Sequence, residues 1–227
     1  MRIGLLGGSF NPIHNAHLRI AGEAQGACRL DRVIFIPAAD PPHKPLAGDI
    51  SFEIRSSMVT MAIAGHPDFE MSTVEAERPG KSYSVDTIRA FRERNPGDEL
   101  FFIIGGDSFL EIGTWHRYAE IFRQCNLIVV ERPGCQIHNP LETLPDAIRG
   151  AFQCDAQTGS LTHECGTSVY FVTGSPLELS STEIRRLAAA DADITRYVPS
   201  DVAAYISQQR IYHQCPLKKT KQLKRQH

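Results

Sequence analysis

The segment Gly7-Gly8-Ser9-Phe10-Asn11-Pro12-Ile13-His14-Asn15-Ala16-His17-Leu18 joins two contrasting parts of the chain. Before it, residues 3–6 form a short apolar run that ends in paired glycines, which predicts a buried strand. After it, an amphipathic segment from His14 to about Cys28 predicts a helix. A strand, a glycine turn and a helix bring main-chain N–H groups and the positive end of the helix dipole to one point. This geometry predicts a phosphate-binding site.

The residue types in the turn also suit a phosphate. Gly7 and Gly8 carry no side chain where a phosphate must approach the main chain, and Pro12 fixes the turn. His14 and His17 are three residues apart at the start of the helix, so they can project from one face and donate N–H groups to phosphate oxygens. Together these residues predict a nucleoside triphosphate site.

Two other interpretations of this segment are weaker. The glycines of residues 4–8 give G-x-x-G-G, which does not fit the dinucleotide fingerprint G-x-G-x-x-G, so an NAD-binding oxidoreductase is disfavoured. The two histidines could bind a metal, but the segment between them lacks the glutamate of the zincin motif, and it offers no third ligand nearby. A phosphate site remains the favoured interpretation.

The same segment resembles the signature of the nucleotidyltransferase superfamily, G-G-[ST]-F-[DN]-P-x-H-x-[GA]-H, which binds the phosphates of ATP. Asn11 stands where Asp is commoner in the superfamily, and Ala16 stands where Gly is commoner. The resemblance implies a set of ATP-binding residues in this segment: Gly7, Gly8, Ser9, Phe10, His14 and His17.

Length and composition describe an ordinary globular protein. The chain has 227 residues, of which 42% are hydrophobic and 22% are charged, so it is long enough for one good core. We expect a single domain over residues 1–214, with a C-terminal helical part at about 180–214 and a basic tail at 215–227. The sequence contains neither a long apolar run nor a leader ahead of the first strand, so we expect no membrane span, no signal peptide and a cytoplasmic location.

Charge is distributed unevenly along the chain. Residues 215–227 hold five basic and no acidic side chains, which leaves 19 basic and 26 acidic residues in the rest. An acidic body argues against a nucleic-acid-binding protein, although RNA binding through the basic tail is an alternative.

The six cysteines form no C-x-x-C pair. Cys28 and Cys125 lie in or beside apolar segments, so we expect reduced core residues there. The remaining alternative is a zinc site in the loop-rich region 135–167, although the spacings match no common zinc finger. Its candidate ligands would be Cys135, His138, Cys154, His163 and Cys165.

Strands alternate with helices along the chain, which predicts an α/β fold with a Rossmann-like, doubly wound and mainly parallel sheet. Region 135–167 shows no clear periodicity apart from a short helical pattern at about 144–152. The expected strands lie at residues 3–6, 33–37, 69–76, 100–104, 126–130 and 168–172; the expected helices lie at 14–28, 51–65, from Ser84 onward, from Ser180 onward and at 200–210.

Several residues after these strands are candidates for ligand contacts. The proline-rich loop after the second strand would present His43 and Lys44 to an anion. Ser84 is the expected N-cap of a helix whose free N–H groups could bind a carboxylate or phosphate. Asp107 follows the strongest strand and could accept a hydrogen bond from a ribose hydroxyl. Trp115, the only tryptophan, is either a ring-stacking platform or a core residue.

A second phosphate-binding element is expected near the C-terminus. Ser180 and Glu183 form a capping-box pattern, which predicts a helix start. Ser181 and Thr182 would add hydroxyl groups to the exposed N–H groups of that helix, and Arg185 would add a guanidinium one turn later. Such a helix start could bind a polyphosphate.

Residues 179–185, L-S-S-T-E-I-R, are similar to the I-S-S-T-x-I-R motif of nucleotidyltransferases. Further segments resemble the bacterial nicotinate-nucleotide adenylyltransferase family in particular, over almost all of residues 1–212. They are P-P-H-K at 41–44, S-Y-S at 82–84, G-G-D-S at 105–108, Trp115, R-P-G at 132–134, Y-V-P at 197–199 and Y-I at 205–206.

The resemblance implies transfer of AMP from ATP to nicotinate mononucleotide in NAD biosynthesis, giving nicotinate adenine dinucleotide and pyrophosphate, with Mg²⁺ carried by ATP. His14, His17 and Arg185 would be catalytic, and Asp107, Ser181 and Thr182 would also bind ATP. The implied mononucleotide site comprises His43, Lys44, Tyr83, Ser84, Trp115 and Arg132. Phosphopantetheine or nicotinamide mononucleotide as the acceptor remains an alternative, and the protein could be a monomer or a homodimer.

Overall fold

The computed structural model describes residues 1–41, 50–131, 136–174 and 180–213. In these residues eight strands form one sheet: β1 (Arg2–Gly8), β2 (Arg32–Pro37), β3 (Phe69–Met71), β4 (Glu99–Gly105), β5 (Asn126–Glu131), β6 (Phe152–Cys154), β7 (Leu161–His163) and β8 (Ser168–Thr173). The helices are α1 (Asn15–Cys28), α2 (Phe52–Ile63), α3 (Ser84–Arg94), α4 (Gly106–Leu110), α5 (Tyr118–Gln124), α6 (Pro140–Thr143), α7 (Asp146–Arg149), α8 (Ser181–Ala189) and α9 (Ser200–Gln208).

The strand order is β3-β2-β1-β4-β5-β8-β7-β6. The first six strands are parallel, and their order matches the doubly wound dinucleotide-binding arrangement, in which the chain reverses direction at the centre of the sheet. The expected fold class is therefore confirmed. The reversal falls between β1 and β4, where ligands bind beyond the carboxyl ends of the strands in folds of this type.

Helices cover both faces of the sheet because its strands are apolar on both sides. Leu5 and Leu6, adjacent in β1, point to opposite faces and belong to two different buried clusters. The Leu6 cluster includes buried residues of α1, α2, α8 and α9, whereas the Leu5 cluster includes those of α3, α4 and α5. None of the described helices has both the length and the apolar character that crossing a bilayer requires.

Two parts of the structure differ from the sequence-based expectation. β3 ends at Met71 rather than at residue 76, because the chain turns at Thr73, whose carbonyl accepts from the Ala76 N–H at 2.8 Å. In region 135–167 the described residues form the short helices α6 and α7 and then the β6–β7 hairpin, which extends the sheet in the antiparallel direction. The helix expected to run to residue 152 ends at Arg149, and Phe152 begins β6.

Candidate active site

The loop after β1 lies at the centre of the carboxyl edge of the sheet. β1 pairs with β2 on one side and with β4 on the other, so the exposed Gly7 opens onto the point where the chain reverses. A Cβ at Gly7 would lie 3.7 Å from the Phe102 ring, an ordinary contact, whereas a Cβ at Gly8 would lie 3.0 Å from the Phe10 ring. Close packing against Phe10 is therefore an additional reason for glycine at position 8.

Phe10 supports the loop from inside rather than offering its ring to a ligand. It adopts a left-handed main-chain conformation with φ of 44°, and its side chain is only 1% exposed. The ring packs edge-on against His17 at 5.1 Å and tilts against Phe35 at 5.8 Å. The main chain around Phe10, not its ring, is therefore the part that faces the site.

His14 and His17 form a stacked pair at the start of α1. His14 is the N-cap and is buried, and the two rings stack with centroids 3.8 Å apart and planes inclined by 22°. The His14 N–H donates to His17 Nδ1 at 3.2 Å. Because Nδ1 of His17 accepts this bond, a neutral His17 carries its proton on Nε2, the atom that can donate to a phosphate oxygen.

Helix α8 packs its N-terminus directly against the same loop. Ser181 Oγ donates to the Pro12 carbonyl at 3.3 Å, and Arg185 Nη1 donates to the Asn11 carbonyl at 2.7 Å. Arg185 Nη2 also donates to Thr182 Oγ1 at 3.0 Å. The two motifs that the sequence assigned to phosphate binding therefore meet at one place.

The helix start at Ser180 is capped as expected, but it forms only one of the two hydrogen bonds of a capping box. The Ser180 side chain accepts from the Glu183 N–H at 3.2 Å. The Glu183 carboxylate accepts two hydrogen bonds from Arg186, at 2.6 and 2.9 Å, in place of the reciprocal capping-box bond. The N-terminus of α8, the positive end of its dipole, therefore lies beside the loop that Ser181 and Arg185 contact.

A second cluster lies beside the carboxyl end of β2. Ser82 Oγ accepts from the N–H groups of Ala39 and Asp40, both at 3.1 Å, and the Ser82 N–H donates to the Asp40 carbonyl at 2.9 Å. These bonds fix the main chain of Tyr83, whose ring tilts over His116 with centroids 4.2 Å apart. The loop after β2 and the start of α3 thus form one unit.

The expected N-cap of α3 is off by one residue. Tyr83 is the N-cap, without a side-chain capping bond, and Ser84 is the first helical residue. The reason is that the Tyr83 carbonyl already accepts from the N–H groups of Asp86 and Thr87, at 3.1 and 3.2 Å. Ser84 therefore lies in the first turn of α3, and its hydroxyl does not cap the helix.

Trp115 and Asp107 both follow β4. Trp115 is partly buried and packs edge-on against Phe102, with ring centroids 6.3 Å apart and planes at 84°. Phe102 is the ring that a Cβ at Gly7 would meet, so it lies between Trp115 and the central loop. Asp107 is exposed in the first turn of α4, directly after β4. Both residues therefore belong to the edge of the sheet where the site lies.

Three of the expected acceptor-binding residues, His43, Lys44 and Arg132, lie outside the described residues, as does Cys135. In the candidate zinc region, the possible ligand atoms of His163, Glu164 and Cys165 lie within 4.8 Å of one another. His163 Nδ1 accepts from the Cys165 N–H at 3.1 Å, so this atom already has a role in the hairpin turn. His163 is buried, and burial lowers the pKa of its imidazole.

Arg55 is one of two site residues that the sequence interpretation missed. Its side chain is fully buried, and its guanidinium donates to the carbonyl oxygens of Ser9 at 2.8 Å and Ala38 at 2.7 Å. Burial lowers the pKa of this guanidinium. The available signal was its helical spacing with the apolar residues Met58 and Ala62, which places a cation on the buried face of α2.

Tyr212 is a second residue that was missed. Its hydroxyl donates to Asn11 Oδ1 at 2.9 Å, and its side chain is 3% exposed. The Asn15 N–H likewise donates to the Tyr197 carbonyl at 2.9 Å. The C-terminal part of the chain therefore supports the loop at further points besides Ser181 and Arg185, and no local pattern indicates the contacts of Tyr212 and Tyr197.

Comparison with known proteins gives consistent results. The model of the family described as Cytidylyltransferase-like matches residues 5–187. A relative from Pelobacter propionicus, named "Probable nicotinate-nucleotide adenylyltransferase", is 61% identical over 216 residues, covering 95% of this chain and 100% of the relative. A relative of the same name from Trichlorobacter lovleyi is 55% identical over 213 residues, covering 93% and 99%.

The fold is also similar to that of a solved structure, Plasmodium falciparum nicotinic acid mononucleotide adenylyltransferase complexed with NaAD. The TM-score is 0.72, and the match covers 93% of this chain and 97% of that one. Sequence identity is 19%, so this likeness concerns the fold alone.

Proposed function

Because the chain belongs to the cytidylyltransferase-like family and, within it, to the nicotinate-nucleotide adenylyltransferases, we propose that it transfers AMP from ATP to nicotinate mononucleotide. The products are nicotinate adenine dinucleotide and pyrophosphate, a step of NAD biosynthesis. The observation that carries the proposal is the contact of Arg185 and Ser181 with the loop at Asn11 and Pro12, which joins two phosphate-binding elements.

ATP would bind over the carboxyl ends of β1 and β4. His14 and His17 hold the α- and β-phosphates, together with the N–H groups at the start of α1. Ser181, Thr182 and Arg185 hold the β- and γ-phosphates at the start of α8. Asp107 accepts a hydrogen bond from a ribose hydroxyl of the nucleotide, as its position after β4 suggests.

The reaction needs no covalent enzyme intermediate. An oxygen of the mononucleotide phosphate, already ionised near neutral pH, attacks the α-phosphorus in line. The new P–O bond forms as the bond between the α-phosphorus and the bridging oxygen breaks, and pyrophosphate leaves with that electron pair. Positioning of the two substrates and stabilisation of the phosphate charge therefore provide the rate acceleration.

Mg²⁺ would enter with ATP. The described residues at the phosphate-binding elements are histidines, hydroxyls and an arginine, a donor set that binds phosphate oxygens directly and leaves the metal to the polyphosphate itself. When bound, Mg²⁺ would neutralise charge on the phosphate oxygens. His17 and Arg185 would then orient the polyphosphate for the in-line geometry.

The acceptor would bind on the Tyr83 side of the site. The main-chain N–H groups at the start of α3 would bind the carboxylate of nicotinate, and Tyr83 and Trp115 would frame the pyridine ring. His43, Lys44 and Arg132 would contact anionic groups of the mononucleotide. This arrangement favours binding of nicotinate mononucleotide over nicotinamide mononucleotide, because only the nicotinate ring carries a negatively charged group that the start of α3 can bind.

The proposal is tested by pyrophosphate release with ATP and Mg²⁺, comparing nicotinate mononucleotide, nicotinamide mononucleotide and phosphopantetheine. We expect strong preference for nicotinate mononucleotide. Equal use of the two mononucleotides would support the proposed reaction but would show that the start of α3 does not select nicotinate over nicotinamide. Activity only with phosphopantetheine would place the chain in another branch of the family and overturn the proposal.

A further inference from the structure

Arg55 is a fully buried cation held by two neutral groups. Its Nη1 and Nη2 atoms donate to the carbonyl oxygens of Ser9 and Ala38, at 2.8 and 2.7 Å. Its Nε atom has no hydrogen-bond partner among the described residues. Removing a charge from water is costly, and this desolvation lowers the pKa of the guanidinium even though the acidic groups of Glu53, Glu75 and Tyr212 act in the opposite direction. A residue kept in this setting has a role that an apolar side chain would not fill.

The two carbonyl groups belong to the loops that follow adjacent strands. β1 and β2 are paired up to Gly8 and Pro37, so Ser9 and Ala38 each lie one residue beyond the last pair. The Ala38 N–H also donates to the Gly8 carbonyl at 2.8 Å. Arg55 therefore bridges the two main chains at the point where the ladder of strand hydrogen bonds ends.

The direction of each carbonyl determines the direction of the next N–H, because the two groups of a trans peptide point opposite ways. With the Ala38 carbonyl turned toward Arg55, the Ala39 N–H points away from it and donates to Ser82 Oγ at 3.1 Å. With the Ser9 carbonyl turned toward Arg55, the Phe10 N–H points away from the guanidinium in the same manner. One side chain thus sets the orientation of peptide groups in both loops.

The loop beyond Ala38 leads directly to the acceptor side of the site. Ser82, which binds the N–H groups of Ala39 and Asp40, precedes Tyr83, the N-cap of α3. The loop beyond Ser9 leads through Phe10 to the ring of His17, which it contacts at 5.1 Å. Arg55 is consequently connected to both the proposed phosphate contacts and the proposed nicotinate contacts.

We propose that Arg55 is a positioning residue that holds the loop after β1, at Ser9, and the loop after β2, at Ala38, at a fixed separation. This inference rests on the proposed function. The fork of the guanidinium can bind two carbonyl oxygens in fixed directions, whereas an ammonium group is a single point donor. Through the fork, Arg55 places the attacking phosphate oxygen in line with the α-phosphorus without touching either substrate.

The test compares Arg55→Lys and Arg55→Met with the wild-type protein. ATP and nicotinate mononucleotide are titrated separately by calorimetry, where no reaction occurs, and kcat is measured with both substrates saturating. We expect Arg55→Lys to bind each substrate within about threefold of wild type but to lose about 100-fold in kcat, since a misplacement of about 1 Å has this effect. Arg55→Met, if it folds, should lose at least as much.

Arg2→Met is the control for loss of an arginine outside the proposed site, although Arg2 is partly exposed and pairs with Glu99 at 2.6 Å. Arg2 lies at the opposite end of β1, where its guanidinium stacks on Phe101 at 4.6 Å and its Nε atom donates to the Cys28 carbonyl at 3.1 Å. We expect this variant to lower the melting temperature and keep its kcat. The inference would be overturned if Arg55→Lys kept the wild-type kcat. It would also be overturned if Arg55→Lys and Arg2→Met, at equal melting temperature, lost the same factor in kcat.

Failure of the proposed function can be told apart from failure of this inference. If the wild-type protein uses nicotinate mononucleotide and Arg55→Lys is equally fast, only the role of Arg55 is wrong. If the wild-type protein uses another acceptor, the proposed function is wrong, and the same comparison of variants is made with that acceptor.

Discussion

Arg185 Nη1 donates a hydrogen bond to the main-chain carbonyl of Asn11 at 2.7 Å, across 174 residues of sequence. Its Nη2 atom donates to Thr182 Oγ1 at 3.0 Å, so the side chain is oriented by two contacts that exist before any substrate binds. A guanidinium fixed in this way loses little freedom when a phosphate arrives, which favours tight binding of the transition state.

Replacing Arg185 with alanine should lower kcat/KM by about 100-fold or more, because a preorganised cation at the phosphates is lost. Initial rates of pyrophosphate release at varied ATP measure the effect. Arg186→Ala on the same helix is the matched control, since Arg186 is exposed and its hydrogen bonds among the described residues go to Glu183. Equal losses in the two variants would contradict the role of Arg185.

His17→Ala should lower kcat strongly, by about 100-fold, and leave the fold intact, because His17 donates to a phosphate oxygen through Nε2. Steady-state kinetics and the circular dichroism spectrum are the measurements. His66→Ala is the control and should keep its turnover, because it removes an imidazole that packs against a different phenylalanine, Phe69 at 4.8 Å, outside residues 7–18. Near-normal turnover of His17→Ala would show that this assignment is wrong.

Trp115 provides a direct optical signal, because it is the only tryptophan in the chain. We expect nicotinate mononucleotide to quench its fluorescence in a saturable way, since the pyridine ring stacks beside the indole. Trp115→Phe should keep the edge-on packing against Phe102 and raise the KM for the mononucleotide by up to about 10-fold. An unchanged KM, with no quenching of the wild-type protein, would make Trp115 a core residue only.

The described cysteines should differ in reactivity. Burial raises the pKa of the Cys125 thiol to about 12 and also raises the pKa of Cys28, whereas Cys154 and Cys165 are exposed. We expect iodoacetamide at pH 8 to label Cys154 and Cys165 in the folded protein and to spare the other two, because the thiolate is the reactive form. Peptide mass spectrometry reads out the result, and labelling in denaturant shows that all four sites can react.

His163 should make stability depend on pH. Burial lowers the pKa of His163 in the folded protein, so between that pKa and the unfolded value of about 6.5 the unfolded chain binds more protons. Its contribution to stability is therefore complete above about pH 6.5 and declines as the pH falls below that value.

His163→Asn tests this linkage, because an amide oxygen can replace Nδ1 as the acceptor for the Cys165 N–H. The variant should be less stable than the wild-type protein at pH 8, and the difference in melting temperature should shrink at pH 5.5. Melting curves of both proteins at the two values measure it. A difference that stays constant with pH would show that His163 does not titrate in this way.

The sequence predicted the parts of the structure that local patterns encode. The strands β1, β4 and β5 are confirmed within two residues at each end, because each is a continuous apolar run. Cys28 and Cys125 are buried and reduced, as expected. The convergence of residues 7–18 with α8 was also expected, since both segments carry the residue types of a phosphate site.

The remaining features depend on contacts between distant parts of the chain. The hydrogen bond from Tyr212 to Asn11 joins residues 201 positions apart, and no sequence pattern predicts that these two residues are in contact. The sequence shows Arg55 only as a charge on an apolar helix face. Its partners, the carbonyl groups of Ser9 and Ala38, are known only from the structure. The strands β6 and β7 have three residues each, which is too short for a periodic signal.

Because Arg185 and Tyr212 bond Asn11, the loop at residues 7–18 can be completed only late in translation. Residues 7–18 leave the ribosome early, so β1 and α1 can form while most of the chain is still being made. The residues that bond Asn11 emerge much later: Arg185 follows it by 174 residues, and Tyr212 by 201. A polypeptide released before residue 185 would carry residues 7–18 without these two supports, so the meeting of the two phosphate-binding elements is completed only when the C-terminal part of the chain has been made.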